Sequence, residues 1–590
     1  MFFKLSMLSL CTWMAMTMMM AGTVTAASRD DVRYAVMIQD QLLPQRVWQE
    51  GWEQPQEAAA RAGHGGVLIR AYFNDSVTWD DQTLKLNGKT LSQLKKEYLV
   101  PWYRRVVVGD TGVVKFEARL HDVSWVQSGV TVAIGQSDDD SRFSFHIDAS
   151  RPNASIAYIA KGTRPNELLV FVTRNDPDIV DLGKVQINGR SDTSNGVPAI
   201  QWYGNVGWFV LPIHEQAQHG SFQLIELNLC FRDGQVISLA SDFRVIERPF
   251  SVGLYGGNPK IVSKLGFNTL FDYHPTVNQK NLDQYQEYGV QLVGRVMNRD
   301  TSSPEIQKLI AEHPAIFALY GYDEPDVKDY KLKDVPRNRR VGVTGMKVEE
   351  QLLRYRQQQP AHLTYMVIDH TYKPANWYTY APMADITAID PYPFVKTQTI
   401  RDGNNFMEAI GDVVHIARCA AQPRPLFVTM GLHHFKEGRM PTERELRSQL
   451  YWALAEGAKG VNYYSWTFKQ GKGLSDYPDL HSEIRSLNSL CNDLGDWLVH
   501  SQPVSGVLNC SEQVDARTLV GKDGQVLLFV IARDAQNNIN HAKVDIQRPE
   551  IKIDRITVVD GSEDVKYELD SKKIKLSITA SRPCVIIRIY

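Results

Sequence analysis

Between Pro249 and His500 the chain repeats one pattern eight times: a short apolar run, followed in most cases by a helix-like or polar stretch. The runs are Val252–Tyr255, Thr269–Phe271, Gln291–Gly294, Ile316–Tyr320, Thr364–Ile368, Ile386–Ile389, Leu426–Met430 and Gly460–Ser465. Between the last two, Thr442 to Glu456 carries helix formers, with Leu446, Leu450, Ala453 and Leu454 on one face. Eight strand–helix units in about 250 residues match the count and size of a (β/α)8 barrel. An open doubly wound sheet is the competing arrangement, but no Gly-rich phosphate turn follows the first run. The pattern therefore predicts a barrel.

At about 150 residues per domain, 590 residues leave room for other units beside it. From Arg33 to about Arg248, strand signals dominate: Gly66–Phe73, Phe143–Ile147, Leu168–Val172, Lys184–Gly189 and Phe222–Leu227. A break near Arg151-Pro152-Asn153 divides them into an N-terminal β-rich domain over 27–150 and an immunoglobulin-like β-sandwich over 151–248. Beyond the barrel (249–500), Val526–Ile531, Arg555–Val559 and Val585–Ile589 read as strands of a small terminal β-domain over 501–590. The expected fold class is multidomain α/β plus all-β: a (β/α)8 TIM barrel flanked by N-terminal β-sandwich domains and a C-terminal β-sandwich. The N-terminal units read as spacers or carbohydrate-binding modules.

Residues 1–26 read as an export signal. Lys4 is the lone early charge, Leu5 to Val24 is apolar apart from Ser, Thr and Gly, and Val24-Thr25-Ala26 offers a small-x-small cleavage site. The expectation is a secreted or periplasmic protein without stable membrane insertion after cleavage. Lys+Arg 65 against Asp+Glu 67 gives a formal charge of -2, so no basic field recruits nucleic acid or anionic lipid. Five cysteines follow the signal (Cys230, Cys419, Cys491, Cys510 and Cys584) without a CxxC pair, which supports neither a zinc nor a redox site, and they read better as buried free thiols than as one or two disulfides.

A barrel gathers its chemistry at the C-terminal ends of its strands. The residues at and after each run are Tyr255-Gly256-Gly257, Asp272-Tyr273-His274, Arg295, Tyr322-Asp323-Glu324-Pro325, Asp369-His370, Asp390-Pro391-Tyr392-Pro393, Gly431-Leu432-His433-His434 and Trp466. Carboxylates, histidines and aromatics thus share one rim. Cleaving a glycosidic bond needs a protonated carboxyl for the leaving oxygen and a second group to stabilise the oxocarbenium-like centre. Aromatic rings stack on sugar faces, a part that suits Tyr255, Tyr392, Trp466 and Trp377. Glu324 is the expected acid, because Pro325 turns the chain outward immediately after it. Tyr322, Asp272, His274, Asp369, His370 and His433 are the remaining candidates for contact with sugar hydroxyls. His274, His370, His433 and His434 do not assemble a metal motif with the first run, which lacks His-x-His, and no metal or organic cofactor is expected.

Tyr322-Asp323-Glu324-Pro325-Asp326, Asp385–Pro393 and Glu456–Trp466 resemble the TIM-barrel glycoside hydrolases, the family-42 β-galactosidases among them. The likeness covers residues 250–500 and implies that Glu324, after the fourth strand, is the acid/base. That clan's nucleophile is a Glu at the end of strand seven. Here Met430-Gly431-Leu432-His433-His434 holds no carboxylate until Glu437. The adjacent Asp-Glu pair is similar to the family-20 and family-123 N-acetylhexosaminidases. There the substrate's acetamido group attacks, an Asp polarises it and a Glu is the acid/base. This implies Asp323 as polariser beside Glu324. Asp390 as nucleophile or base, and Glu437 if its loop folds inward, are the other routes. The sequence thus leads to a glycosidase acting on an oligo- or polysaccharide. A non-catalytic glycan-binding or scaffold protein on a degenerate barrel is the alternative.

Overall fold

The computed structural model describes residues 25–26, 32–39, 66–74 and 79–590, except for 98, 109–110, 121–127, 137–139, 149–152, 192–195, 214–217, 248, 298–302, 336–339, 370–373, 395–404, 437, 548–552, 554, 562–563 and 571. The expected export signal lies outside the described residues, save that Thr25–Ala26 pairs as a two-residue strand with His146 and Phe145. No helix among the described residues is long and apolar enough to cross a membrane.

The eight runs close into a parallel barrel. Its strands are β1 (Ser251–Tyr255), β2 (Thr269–Asp272), β3 (Gln291–Gly294), β4 (Ile316–Asp323), β5 (Leu363–Asp369), β6 (Ile386–Asp390), β7 (Leu426–Gly431) and β8 (Gly460–Tyr464). Strands β4, β5 and β6 each run on to a terminal aspartate, which is what places acid at the mouth. The barrel helices are α1 (Pro259–Lys264), α2 (Gln279–Glu287), α3 (Pro304–Glu312), α4 (Pro325–Lys331), α5 (Gly345–Gln358), α6 (Pro374–Tyr380), α7 (Asn405–Ala421), α8 (Glu443–Ala455) and α9 (His481–Val499). Local signals start several of them. Asn258, Asn278 and Ser303 cap α1 to α3, and Thr442 with Glu445 forms a capping box on α8.

Aromatic rings fill the barrel interior. Tyr255, Phe271, Tyr320, Tyr365 and Phe427 pack there, and the hydroxyls of Tyr255 and Tyr365 lie 3.0 Å apart. A Cβ on Gly253 would meet the Phe271 ring at 2.2 Å, so only glycine fits opposite it. Trp377, expected to face sugar, is instead fully buried in the outer core. Its short helix α6 lies against the barrel wall, and its indole N–H donates to the Asp369 carbonyl at 3.0 Å.

Before the barrel come two sandwiches. The first packs a four-stranded sheet (Val32–Gln39, Val67–Asn74, Val113–Leu120, Trp102–Val107) with a five-stranded one. In the second, a four-stranded sheet led by Ala154–Lys161 and Glu167–Arg174 faces a three-stranded one made of Ile179–Ile187, Phe222–Phe231 and Val236–Arg244. A sandwich of five and four strands over 501–589 follows the barrel.

Strand Val113–Leu120 is buried on both faces. Phe116, Ala118 and Leu120 enter the first sandwich's core, while Lys115, Glu117 and Arg119 alternate onto the opposite face. That charged face meets the other domains. Glu117 accepts from Arg70 and Arg104, each at 2.6 Å, and lies 3.2 Å from Lys115. Lys115 reaches Asp242 of the second sandwich at 2.6 Å, and Asp242 also takes Arg424 of the barrel at 3.3 Å. Arg104 continues to Glu349 on α5 at 3.3 Å, and Arg244 of the second sandwich meets Asp385 of the barrel at 3.4 Å. Although burial opposes it, Arg356 and Arg244 hold the Asp385 carboxyl well below the usual carboxylate range. Each ion is desolvated, so each depends on its partners. All five described cysteines are free thiols; Cys491 and Cys584 are buried, Cys230 and Cys419 are partly so, and Cys510 is exposed, against the expectation of burial.

Candidate active site

The mouth of the barrel is shaped by an irregularity in β4. Its pairing with β5 shifts between Tyr320 and Tyr322, so the extra residue Gly321 lets both Tyr320 and Asp323 turn toward the interior. Tyr322, expected at the substrate, therefore falls on the outer side. It packs in the core between barrel and helices, with the Lys328 ammonium 4.0 Å above its ring. Glu324 follows in the left-handed region (φ 43, ψ 64), an unusual conformation for a residue with a Cβ. Its N–H donates to the Val367 carbonyl at 3.0 Å and Pro325 opens α4 at once, which hold the side chain at the mouth.

Three carboxyls converge there. One oxygen each from Glu324, Asp369 and Asp390 lies within 4.8 Å of the others. The pairing of β5 with β6 sets Asp369 directly beside Asp390. Burial, reinforced by Asp369 and then Asp323, pushes the Glu324 carboxyl up to about 8. Asp390 is 1% exposed, and burial together with Asp369 and Glu324 holds its carboxyl well above the ordinary range. Asp326 lies underneath, fully buried, where it accepts the Asp369 backbone N–H at 3.0 Å and is likewise pushed up by burial and by Asp369. Burial and crowding thus favour the protonated forms of Glu324, Asp390 and Asp326, and Glu324 is the partly exposed one of these. These three carboxyls are also the one set among the described residues close enough to share a cation. Protonation of Glu324 and Asp390 competes with such a role.

Asp323 has different surroundings. The Tyr320 hydroxyl donates to it at 2.6 Å and the Tyr273 hydroxyl at 3.4 Å, and Arg295 pairs with its other oxygen at 3.4 Å. The Arg295 guanidinium lies 4.8 Å over the Tyr273 ring and 5.1 Å over that of Tyr320. Two adjacent carboxyls are thereby distinguished: one sits in a ring of donors, and the other is crowded by acids.

Around them stands an aromatic wall. Tyr392 packs against Gly431 and meets His433 edge-on at 5.0 Å; Tyr464 meets His433 at 4.8 Å. His433 is 4% exposed, its Nδ1 lies 2.9 Å from the Tyr464 carbonyl, and burial pushes its imidazole down to about 4, so it is neutral. Trp466 covers Gly256 and Gly257, both in the left-handed region, where glycine is at ease. Its backbone N–H donates to the Tyr255 carbonyl at 2.9 Å. Tyr255 itself is 2% exposed and lies below the mouth, because its place on β1 points it into the barrel. Asp272 accepts the His274 N–H at 2.8 Å and holds the loop after β2, leaving His274 exposed. The imidazole of His434 bonds to the Tyr477 hydroxyl at 2.7 Å. His370 and Glu437 lie outside the described residues.

The sequence points to Asp323 and Glu324 as a pair, and to Asp369 and Asp390 as separate strand ends. It gave no role to Asp326, to Arg295 or to the hydroxyls of Tyr273 and Tyr320. Only the Glu-Pro-Asp spacing hinted at Asp326, because a residue just inside α4 can turn back beneath the sheet.

No protein-family model matches the chain, and no curated protein matches it. Among solved structures it is similar to a GH2 β-galacturonidase from Eisenbergiella tayi, at 12% identity over 80% of this chain and 97% of that one, with a TM-score of 0.27. It is also similar to an endo-β-1,4-mannanase from Thermotoga petrophila, at 12% identity over 56% of this chain and 91% of that one, with a TM-score of 0.30. A β-galactosidase from Rahnella sp. R3 matches at 12% identity over 43% and 58%, with a TM-score of 0.33. Scores this low add nothing to the site's own geometry.

Proposed function

We propose that the protein is an exported glycoside hydrolase in which Glu324 is the general acid. The observation that carries this reading is the Glu324 carboxyl, raised to about 8 at the C-terminal mouth of a closed barrel. A carboxyl that keeps its proton at neutral pH and reaches the mouth can protonate a departing glycosidic oxygen. Crowding by Asp369 and Asp323, beyond burial alone, is the arrangement such an acid needs.

For the second group the surroundings favour Asp323. Asp390 is buried with its carboxyl held well above the ordinary range, which suits a neighbour that shares a proton with Glu324 better than an attacking group. Met430 to His434, at the end of β7, contributes no carboxylate. Asp323 fits the part of polarising an acetamido group on the substrate. That group's oxygen bonds to the anomeric carbon as the glycosidic bond breaks, and the Glu324 proton passes to the leaving oxygen. Water then attacks the anomeric carbon, giving its proton back to Glu324 and releasing the acetamido group. Tyr392, Tyr464 and Trp466 supply the ring faces that would bound the sugar.

Aryl glycosides, including N-acetylhexosaminides, and a polysaccharide panel test this with the purified chain beside Glu324→Gln and Asp323→Asn. A loss of at least about a hundredfold in kcat is expected for Glu324→Gln. Acetamido-dependent turnover lost in both variants supports the assisted route. Activity on sugars without the acetamido group, retained in Asp323→Asn, would assign the second role elsewhere. Glycan binding with no turnover on any substrate would favour the scaffold alternative.

A further inference from the structure

The lip of the mouth between β3 and α4 is cationic. Arg295 leaves the end of β3 with about a third of its side chain exposed, and Lys328 stands on the first turns of α4, also exposed. The two are held by aromatic faces: Arg295 spans Tyr273 and Tyr320, and Lys328 lies over Tyr322. Lys328 makes no ion pair among the described residues, and Arg295 has only the 3.4 Å contact to Asp323. Lys331 and Lys347 add charge from α4 and α5, near enough to act on Glu324 and Lys328 respectively.

Asp323 is the one carboxylate in contact with this lip, and it meets Arg295 alone. Asp329 points its oxygens at Thr344 and Tyr380, and Asp326 turns beneath the sheet to the Asp369 backbone N–H. Burial lowers the Lys328 ammonium, and Arg295 and Lys347 lower it further although Asp323 opposes them. Like charges gathered beside a reaction centre, without a full complement of acid, are stabilised by an anion brought from outside.

We propose that the glycan carries a negatively charged group, a carboxylate or a sulfate ester, on a sugar beside the one held by Asp323 and Glu324, and that Arg295 and Lys328 receive it. This rests on the hydrolase reading of the same mouth. Arg295 supplies two parallel donors for a planar or tetrahedral anion, and Lys328 supplies a mobile point charge across from it.

Two measurements separate this proposal from the reading beneath it. Matched oligosaccharides, differing only in a uronic acid against its neutral hexose or in the presence of one sulfate ester, are assayed for turnover by the parent and Lys328→Met proteins. The same pairs are titrated calorimetrically into Glu324→Gln, which reads binding without turnover. A preference of about tenfold or more for one charged series in kcat/KM is expected, expressed mainly in KM. In Lys328→Met that preference should fall severalfold, and in the parent it should weaken with added salt. The series that shows the effect identifies carboxylate or sulfate. Equal binding and turnover of charged and neutral partners would overturn the proposal while leaving the hydrolase reading intact. Charge-selective binding without any turnover would overturn the hydrolase reading and keep the anion site.

Discussion

Replacing Asp369 with Asn removes the neighbour that, after burial, does most to keep Glu324 protonated. The two carboxyls approach within 4.8 Å. A unit charge at that distance acts with about 3.5 kcal/mol at an effective dielectric of about 20, and with about 0.9 kcal/mol in water. Glu324 is partly exposed, so a value near 1.4 kcal/mol is reasonable, which corresponds to about one pH unit. The sign follows from the charge. Without the Asp369 carboxylate the Glu324 proton leaves more easily, so its carboxyl falls from about 8 toward about 7. A general acid works only while protonated, so the alkaline limb of kcat/KM should move down by about one pH unit in Asp369→Asn. Asn keeps the shape of the side chain, and the backbone N–H that serves Asp326 is untouched. The assay is kcat/KM between pH 5 and 10 on any substrate the parent hydrolyses. An alkaline limb that stays in place or moves up would refute the electrostatic account of the acid. A uniform fall without displacement would show that Asp369 acts on the substrate rather than on Glu324.

Three further outcomes are expected. Glu117→Gln leaves Arg70, Arg104 and Lys115 without their shared anion and should cost about 3–5 kcal/mol, read as a lower urea midpoint; a change below about 1 kcal/mol would mean that water already screens the cluster. His433 is neutral when folded, with its imidazole at about 4, but takes a proton near 6.5 when unfolded. Its stabilisation is therefore complete above about pH 6.5 and lost as pH falls toward about 4, amounting to about 3 kcal/mol. His433→Asn should flatten that part of the stability–pH curve, and identical slopes in the two proteins would contradict it. Trp466→Ala removes the ring over Gly256 and Gly257 and should raise KM about tenfold with little change in kcat; an unchanged KM would place the sugar elsewhere.

The barrel was legible because each strand needs only four to eight apolar residues, and the helices between them space those runs evenly. Observed strands such as Gln291–Gly294 and Ile386–Asp390 fall on the runs read from the sequence, within a residue or so. Glu324 was legible because Pro325 forces a turn at that place. Side-chain direction was harder to read. Strand alternation sends Tyr255 into the barrel along with Gly253 and Ser251, and the shift at Gly321 reverses Tyr322, a local irregularity that no periodic pattern announces. Mutual crowding of Glu324, Asp369 and Asp390 depends on the register between neighbouring strands, which a linear reading does not contain. The alternation Lys115, Glu117, Arg119 reads as a solvent-facing strand until two other domains cover it.

That covered face bears on how such a chain can change over generations. The charges joining the sandwiches to the barrel match only as a set: Arg424 answers Asp242, and Glu349 answers Arg104. A barrel cut out over 249–500 would leave Arg424 without Asp242 and Glu349 with Arg356 alone, so the barrel is not a cassette to be moved between proteins. A descendant that sheds its first sandwich should also lose the charge where Glu349 stands, and one that sheds the second should lose it where Arg424 stands. Paired losses of this kind among related chains would trace the history of the junction.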